Sequence, residues 1–313
     1  MRALFSQRCD TTVAVHSEKA AEAACNRPIV STDGRPHDAP HARCLGAHPA
    51  QVIMASGVES NARAVVPAAQ PLGFSPVLTW AFDQQVLGPE ASSLALDAGL
   101  AKLAGRIGDE PCQMATRTFR STRWHRFTVA SIALGEDGSG DVVSATVIGL
   151  PACRPSLLLG IDLVALRGHL VIAALDALPL GAHAGLSDGA AAWLRGLRSE
   201  LGDRVVDRKV PEFAQHAFSD DAIIVGARRD SSSAALHIIG EWLPRLTPLL
   251  RTADTLGRED AVEDRIRWEL AERSNRKEQA ALARLFGEST ARRYLDEVLF
   301  PDGYAAERAA ERA

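Results

Sequence analysis

The stretch "LLLGIDLVAL" (Leu157–Leu166) carries one carboxylate, Asp162, in the middle of an otherwise apolar run, flanked by Ile161 and Leu163. Burying a lone carboxylate costs several kcal/mol unless it is paired or protonated. Three readings follow. Strand alternation could turn Asp162 out to water, a neighbouring loop could hydrogen-bond it, or it could be a working acid. A carboxyl in an apolar pocket holds its proton nearer neutral pH, which suits it to donate that proton. Asp176, in "AALDALPLG", is placed similarly but near a strand end, where capping a turn is the simpler role. His125, beside Trp124, and His169, in a hairpin turn, have the right chemistry for proton transfer, yet strand-end histidines are more often structural. Cys153 reads as a small filler in a Pro-flanked loop.

Other chemistries lack their motifs. The chain has no GxGxxG, GxxxxGK[ST], HExxH or GxSxG, so nucleotide phosphates, zinc hydrolysis and serine acyl transfer find no support. "GARRDSSS" (Gly226–Ser233) looks like a phosphate turn but reads better as a strand end followed by a serine helix cap. The five cysteines are widely spaced with no CxxC pair. No disulfide framework is expected, and a reducing cytoplasm is the expected location. A net charge of -4 and pI near 6.2 argue against nucleic-acid binding by bulk charge. No apolar run approaches the ~18 to 20 residues of a membrane span, and the N-terminus lacks an apolar signal core.

The elements that must position Asp162 come next. Residues 1–58 hold four of the nine histidines and three of the five cysteines, with few large apolar residues. Their spacings match no zinc pattern, so a disordered tail is expected, with Met54 as an alternative start. Residues 59–313 are expected to form one domain. "SSLALDAGLAKLAGRI" (Ser92–Ile107) places Leu96, Leu100 and Leu103 on one helical face. The period then changes to two. Arg126–Leu134 and Val142–Pro151 flank a Gly/Asp turn, and Ser156–Leu166 and His169–Leu178 flank Arg167–Gly168, giving two hairpins and an antiparallel meander. A helix with Trp193, Leu194, Leu197 and Leu201 on one stripe follows, then a strand over Asp221–Arg229. The next helix carries Leu236, Ile239, Leu243 and Leu246 and should be split by Pro244. Further helices fill the stretch after Gly257, ending in an apolar plug with Tyr294, Phe300 and Tyr304. This order predicts an α+β fold with both faces of its sheet covered.

Two stretches, "GIDLVALRGHLVIAALDALPLG" and "RSNRKEQAALARLFGESTARRYLDEVLFPDGY", resemble the ferredoxin-dependent bilin reductases. The late block is carried by Asn275, Lys277, Phe286, Gly287, Arg293, Tyr294, Val298, Leu299 and Phe300. A "FSDDAIIVGARR" strand supplies Phe218, Ser219 and Arg228, and the likeness runs in order over roughly residues 92 to 304. The resemblance implies a three-layer α/β/α sandwich around a central antiparallel sheet, with the aromatic plug closing one side of a bilin pocket. It implies no bound flavin, nicotinamide or metal. Electrons would come one at a time from an external [2Fe-2S] ferredoxin to a linear tetrapyrrole such as biliverdin IXα, through a radical. A monomer serving a phytochrome apoprotein is the expected setting.

By the same resemblance Asp162 is the central acid that protonates substrate, Lys277 and Arg228 are bases for the propionates, and Asn275 contacts substrate. Phycocyanobilin-forming members carry a histidine seventeen positions before the aspartate, where an ungapped count gives Ala145. Members that use the aspartate of an "NDK" motif find Arg276 there instead, and nothing in the sequence assigns Glu278 that role. The product is therefore open between phycocyanobilin and a dihydrobiliverdin, and so is the number of electrons, two or four. A reductase of chlorophyll-derived linear tetrapyrroles and a non-catalytic tetrapyrrole binder are the alternatives.

Overall fold

The computed structural model describes residues 72–210, 215 and 217–312. The expected N-terminal tail and the alternative start at Met54 lie outside the described residues. In chain order the elements begin with α1 (Ser75–Ala81), α2 (Gln84–Leu87), β1 (Ser92–Leu94), α3 (Ala98–Ala101), β2 (Lys102–Ile107), β3 (Glu110–Arg120) and β4 (Trp124–Leu134). There follow β5 (Val142–Pro151), β6 (Cys153–Arg154), β7 (Ser156–Leu166), β8 (His169–Leu180), α4 (Ala184–Leu201), β9 (Val205–Asp207) and β10 (Ile223–Ala227). The chain ends with α5 (Ser232–Trp242), α6 (Thr247–Ala253), β11 (Glu259–Asp260), α7 (Val262–Arg273), α8 (Arg276–Phe286), α9 (Glu288–Tyr294) and α10 (Pro301–Ala310). A 3₁₀ turn over Leu243–Leu246 separates α5 from α6 at Pro244, and a π turn, Leu295–Leu299, precedes α10.

Nine strands form one antiparallel sheet in the order β1-β3-β4-β5-β7-β8-β10-β9, with β2 sharing β3. The meander over β4, β5, β7 and β8 is the expected one. Arg167 and Gly168 both take positive φ (52° and 72°), as a two-residue hairpin turn requires.

Alternation in β7 builds the layers. Leu157, Leu159, Ile161, Leu163 and Ala165 point into the larger apolar cluster under α1, α4, α5 and α6. Leu158 and Val164 point the other way, into the cluster under α7 to α10. A period of two is thus hydrophobic on both faces, because helices cover both. The α+β sandwich expected from the sequence is the architecture found.

Two local expectations change. Ser92–Ile107 is not one helix: Asp97 caps a single turn by accepting from the Gly99 N–H at 2.8 Å, and the chain then enters β2. Leu100 and Leu103 are both buried, so a helical spacing was satisfied by a turn followed by a strand. Gly105 explains why that strand fits: a Cβ there would lie 2.5 Å from the Leu285 carbonyl oxygen, so α8 rests directly on β2. The second change is β3, whose inward positions mix Cys112 and Met114 with Thr116 and Thr118 and so give only a weak apolar signature.

Candidate functional site

Asp162 sits in the centre of β7, 5% exposed, opposite Thr146 on β5 and Ala174 on β8. Its side chain points away from the larger cluster, towards the α7–α10 layer. Alternation therefore does turn it outward from one core, but into a second layer and not into water. The Thr146 hydroxyl donates to Asp162 Oδ1 at 2.9 Å. Around this pair is a small cavity of about 30 Å³, whose walls include Ile148, Gly160, Ala174, Phe218, Trp268, Glu272, Glu278 and Phe300. That volume is about tenfold below small-molecule sites, ~300–1,000 Å³.

The helical wall is unusual in what it buries. Helix α7 turns Arg265, Trp268, Glu269 and Glu272 inward, and Trp268 packs edge-on against Phe300 with ring centroids 6.1 Å apart. Asn275 caps α8: its Oδ1 accepts from the Glu278 N–H at 3.3 Å and its Nδ2 donates to Glu278 Oε2 at 3.4 Å. That reciprocal cap fixes Glu278 at the cavity wall. Tyr294, outside this lining, is fully buried in the same layer, with its hydroxyl 2.8 Å from Thr116 Oγ1. Burial pushes its phenol well above the ordinary value.

Asp176 is mid-strand, opposite Gly160, on the same face as Asp162. It does not cap its own turn as expected. Instead it accepts from the Ser219 N–H at 2.9 Å and from the Ser219 hydroxyl at 2.5 Å, tying the segment before β10 to the sheet. Phe218, one residue earlier, thereby reaches the cavity.

The other expected residues are distributed differently. Lys277 is exposed on α8 and Arg228 is exposed beyond the end of β10, four residues past the line Asp162–Ala174–Ile224. Neither lines the Asp162 cavity, because the first turn of α8 turns Glu278 inward and its neighbours Arg276 and Lys277 outward. Asn275 is 2% exposed and acts through Glu278. The ungapped count to Ala145 also fails. Ala145 opposes Leu163 and belongs to the larger cluster on the opposite face, so the cross-strand neighbour of the acid is Thr146.

His169 Nδ1 lies 3.0 Å from Ser232 Oγ, which also accepts from the Leu170 N–H, and both belong to the hairpin end. A serine within Gly226–Ser233 was expected to cap α5; Ser231 stands at that position but makes no side-chain cap. His125 Nε2 meets Asp302 Oδ2 at 3.1 Å, at the start of β4, away from Ala130 where the Asp162–Thr146 line crosses that strand. His125 holds Asp302 below the usual carboxylate range. Cys153 is partly exposed on β6 and Cys112 is buried on β3, where burial pushes its thiol up. Among the described residues no group of His, Cys, Asp and Glu is arranged to hold a metal ion, and no helix is long and apolar enough to cross a membrane.

Sequence reasoning missed Thr146, Trp268 and Glu272. The one available signal was α7 itself, "VEDRIRWELAER", which has too few apolar residues for a buried stripe and so must bury charge to pack at all.

No curated protein matches the chain in sequence. Among solved structures, the phytochromobilin synthase from tomato, in complex with biliverdin, superposes with a TM-score of 0.60 at 15% identity, over 74% of this chain and 84% of that one. At that identity the likeness speaks for the fold. The family model for ferredoxin-dependent bilin reductase matches residues 83–301, a span that includes every strand from β1 to β11 and both walls of the Asp162 cavity. The chain belongs to the ferredoxin-dependent bilin reductase family.

Proposed function

We propose that the chain reduces biliverdin IXα to a phytobilin such as phycocyanobilin or a dihydrobiliverdin, taking electrons one at a time from a [2Fe-2S] ferredoxin, with Asp162 delivering a proton to the bilin. The observation that carries this reading is a carboxyl 5% exposed on the sheet wall of a cavity lined in part by aromatic and aliphatic side chains, with the Thr146 hydroxyl donating to it at 2.9 Å. Such a group can move a proton to a ligand while water is kept away. Trp268, Phe300 and Phe218 offer flat apolar surface for a conjugated tetrapyrrole. A linear tetrapyrrole is large for this cavity, so its entry requires the helical wall of α7 to α10 to draw back from the sheet. No flavin, nicotinamide or metal is needed when ferredoxin supplies single electrons. A cytoplasmic monomer passing its product to a phytochrome apoprotein is the setting this reading expects.

The test is anaerobic incubation with biliverdin IXα and a reduced ferredoxin system, followed by absorbance and chromatography, with Asp162→Asn in parallel. The wild type should form a new bilin. The variant should lose turnover by about 10²-fold or more, the usual worth of a positioned acid. Tight binding without product in the wild type would refute the reading for this substrate and leave a chlorophyll-derived tetrapyrrole or a non-catalytic binder.

A further inference from the structure

The inward face of α7 carries a column of ionisable side chains that begins at the surface and ends at the Asp162 cavity. Arg265, Glu269 and Glu272 follow one another a helical turn apart, all buried, and so share one face of the helix. At the outer end, Arg265 Nε lies 3.6 Å from Asp302 Oδ2, the same oxygen that meets His125 Nε2 at 3.1 Å. The His125 and Asp302 side chains are 23% and 29% exposed, so this end is open to water. At the inner end, Glu272 lines the cavity with Asp162.

Glu269 is the middle of the column. Its Oε2 accepts from the Gly303 N–H at 2.7 Å, while Oε1 has no hydrogen-bond partner among the described residues. A buried polar atom left bare is costly and asks for a reason, and carrying a proton supplies one. The charged groups that face it are Arg126 from β4 and Asp302 from α10. Burial raises its carboxyl to about 7, so it can both take up and release a proton near neutral pH. Helical residues three apart stand ~5–6 Å from each other at Cβ, which puts Glu269 and Glu272 within reach of one another. The cavity beyond, about 30 Å³, has room for about two waters to carry a proton from Glu272 to Asp162.

We infer that Glu269 relays protons from the surface at His125 and Asp302 to the Asp162 cavity, recharging Asp162 after each delivery. The inference rests on the bilin reductase reading above. Reduction of one carbon–carbon double bond takes two electrons and two protons. Two reduced ferredoxins supply one electron each, and the buried site must draw both protons from water. When Asp162 gives its proton, its O–H bond breaks, a C–H bond forms on the bilin, and a carboxylate is left. That carboxylate regains a proton across the cavity from Glu272, Glu269 passes its own to Glu272, and water at His125 restores Glu269. Glu269 itself never touches the bilin.

The experiment mixes the full chain rapidly with biliverdin IXα and reduced ferredoxin, comparing wild type, Glu269→Gln and Asp302→Asn. Glu269→Gln keeps an oxygen for the Gly303 N–H but cannot carry a proton. It should bind biliverdin as the wild type does and protonate it once at the wild-type rate, using the proton stored on Asp162. Its steady rate should then fall about 10²-fold. Imidazole, a small diffusible proton carrier, should restore part of that steady rate and leave the wild type unchanged. A packing defect would give neither the burst nor the rescue, so a fall that lacks either one overturns the inference. A steady rate within about threefold of a working wild type overturns it as well, and leaves the reductase reading intact. Should Glu269→Gln fail to fold, Asp302→Asn tests the outer end of the column: the same burst and rescue support the inference, and any other result overturns it. A wild type that binds biliverdin without reducing it removes the underlying reading, and this inference falls with it.

Discussion

Glu269 offers a test of the packing that shapes the helical wall, independent of catalysis. It is fully buried on α7, and its Oε2 accepts from the Gly303 N–H at the start of α10 at 2.7 Å. Oε1 has no hydrogen-bond partner among the described residues. Gly303 is where α10 touches α7 most closely, since a Cβ there would stand 2.9 Å from the Glu269 Cβ. Burial pushes the Glu269 carboxyl up from 4.5 to about 7, with Asp302 adding to the rise and Arg126 opposing it. The folded pKa lies above the unfolded one, so the folded state binds more protons between those two values. Stability is therefore full below about pH 4.5 and falls as pH rises through 7. A gap of about two and a half pH units, at about 1.36 kcal/mol each, amounts to about 3 kcal/mol. Asp302, held low by His125 first of all, contributes stability that is lost only as pH falls through the acid range, outside this window. Urea denaturation of wild type and Glu269→Gln should be compared between pH 5 and pH 8. The carboxamide can still accept from Gly303 but cannot ionise. The wild type should lose about 2 to 3 kcal/mol over that range relative to the variant. Parallel stability curves would refute the assignment of Glu269 as the buried ionising group.

Two further outcomes are expected. Thr146→Val removes the hydroxyl that donates to Asp162 at 2.9 Å while keeping its shape. Losing a buried hydrogen bond to a carboxyl is worth about 1.5 kcal/mol, so biliverdin turnover should fall about tenfold with little change in KM, as steady-state kinetics would report. Arg123, 4% exposed, clamps Asp254 through Nε and Nη2 and the Gln85 and Val86 carbonyls through Nη1. Arg123→Ala leaves Asp254 without that partner and should lower stability by about 3 to 5 kcal/mol in chemical denaturation, freeing α2 from the edge of the sheet.

Asp162 stood out in the sequence because one carboxylate interrupts an apolar strand, and the meander was legible because apolar runs of strand length are separated by short polar or Gly-containing turns. What stayed hidden was polar matter in buried places. Strand β3 turns Thr116 and Thr118 inward beside Cys112 and Met114, so its alternation carries little hydropathy contrast in its second half. Helix α7 buries Arg265, Glu269 and Glu272, so its inward face reads as a solvent face. Lys277 and Arg228 drew attention through their charge and their place in a motif, yet each points to solvent, because a helix or strand sorts neighbouring residues onto opposite sides whatever their chemistry. The same sorting corrects the count to Ala145. Sequence separation along a hairpin does not fix which residue faces which; register does, and here it sets Thr146 against Asp162. Asp162 thus meets a hydroxyl of its own sheet and shares its cavity with two glutamates of the helical wall, neighbours that no spacing along the chain would have given.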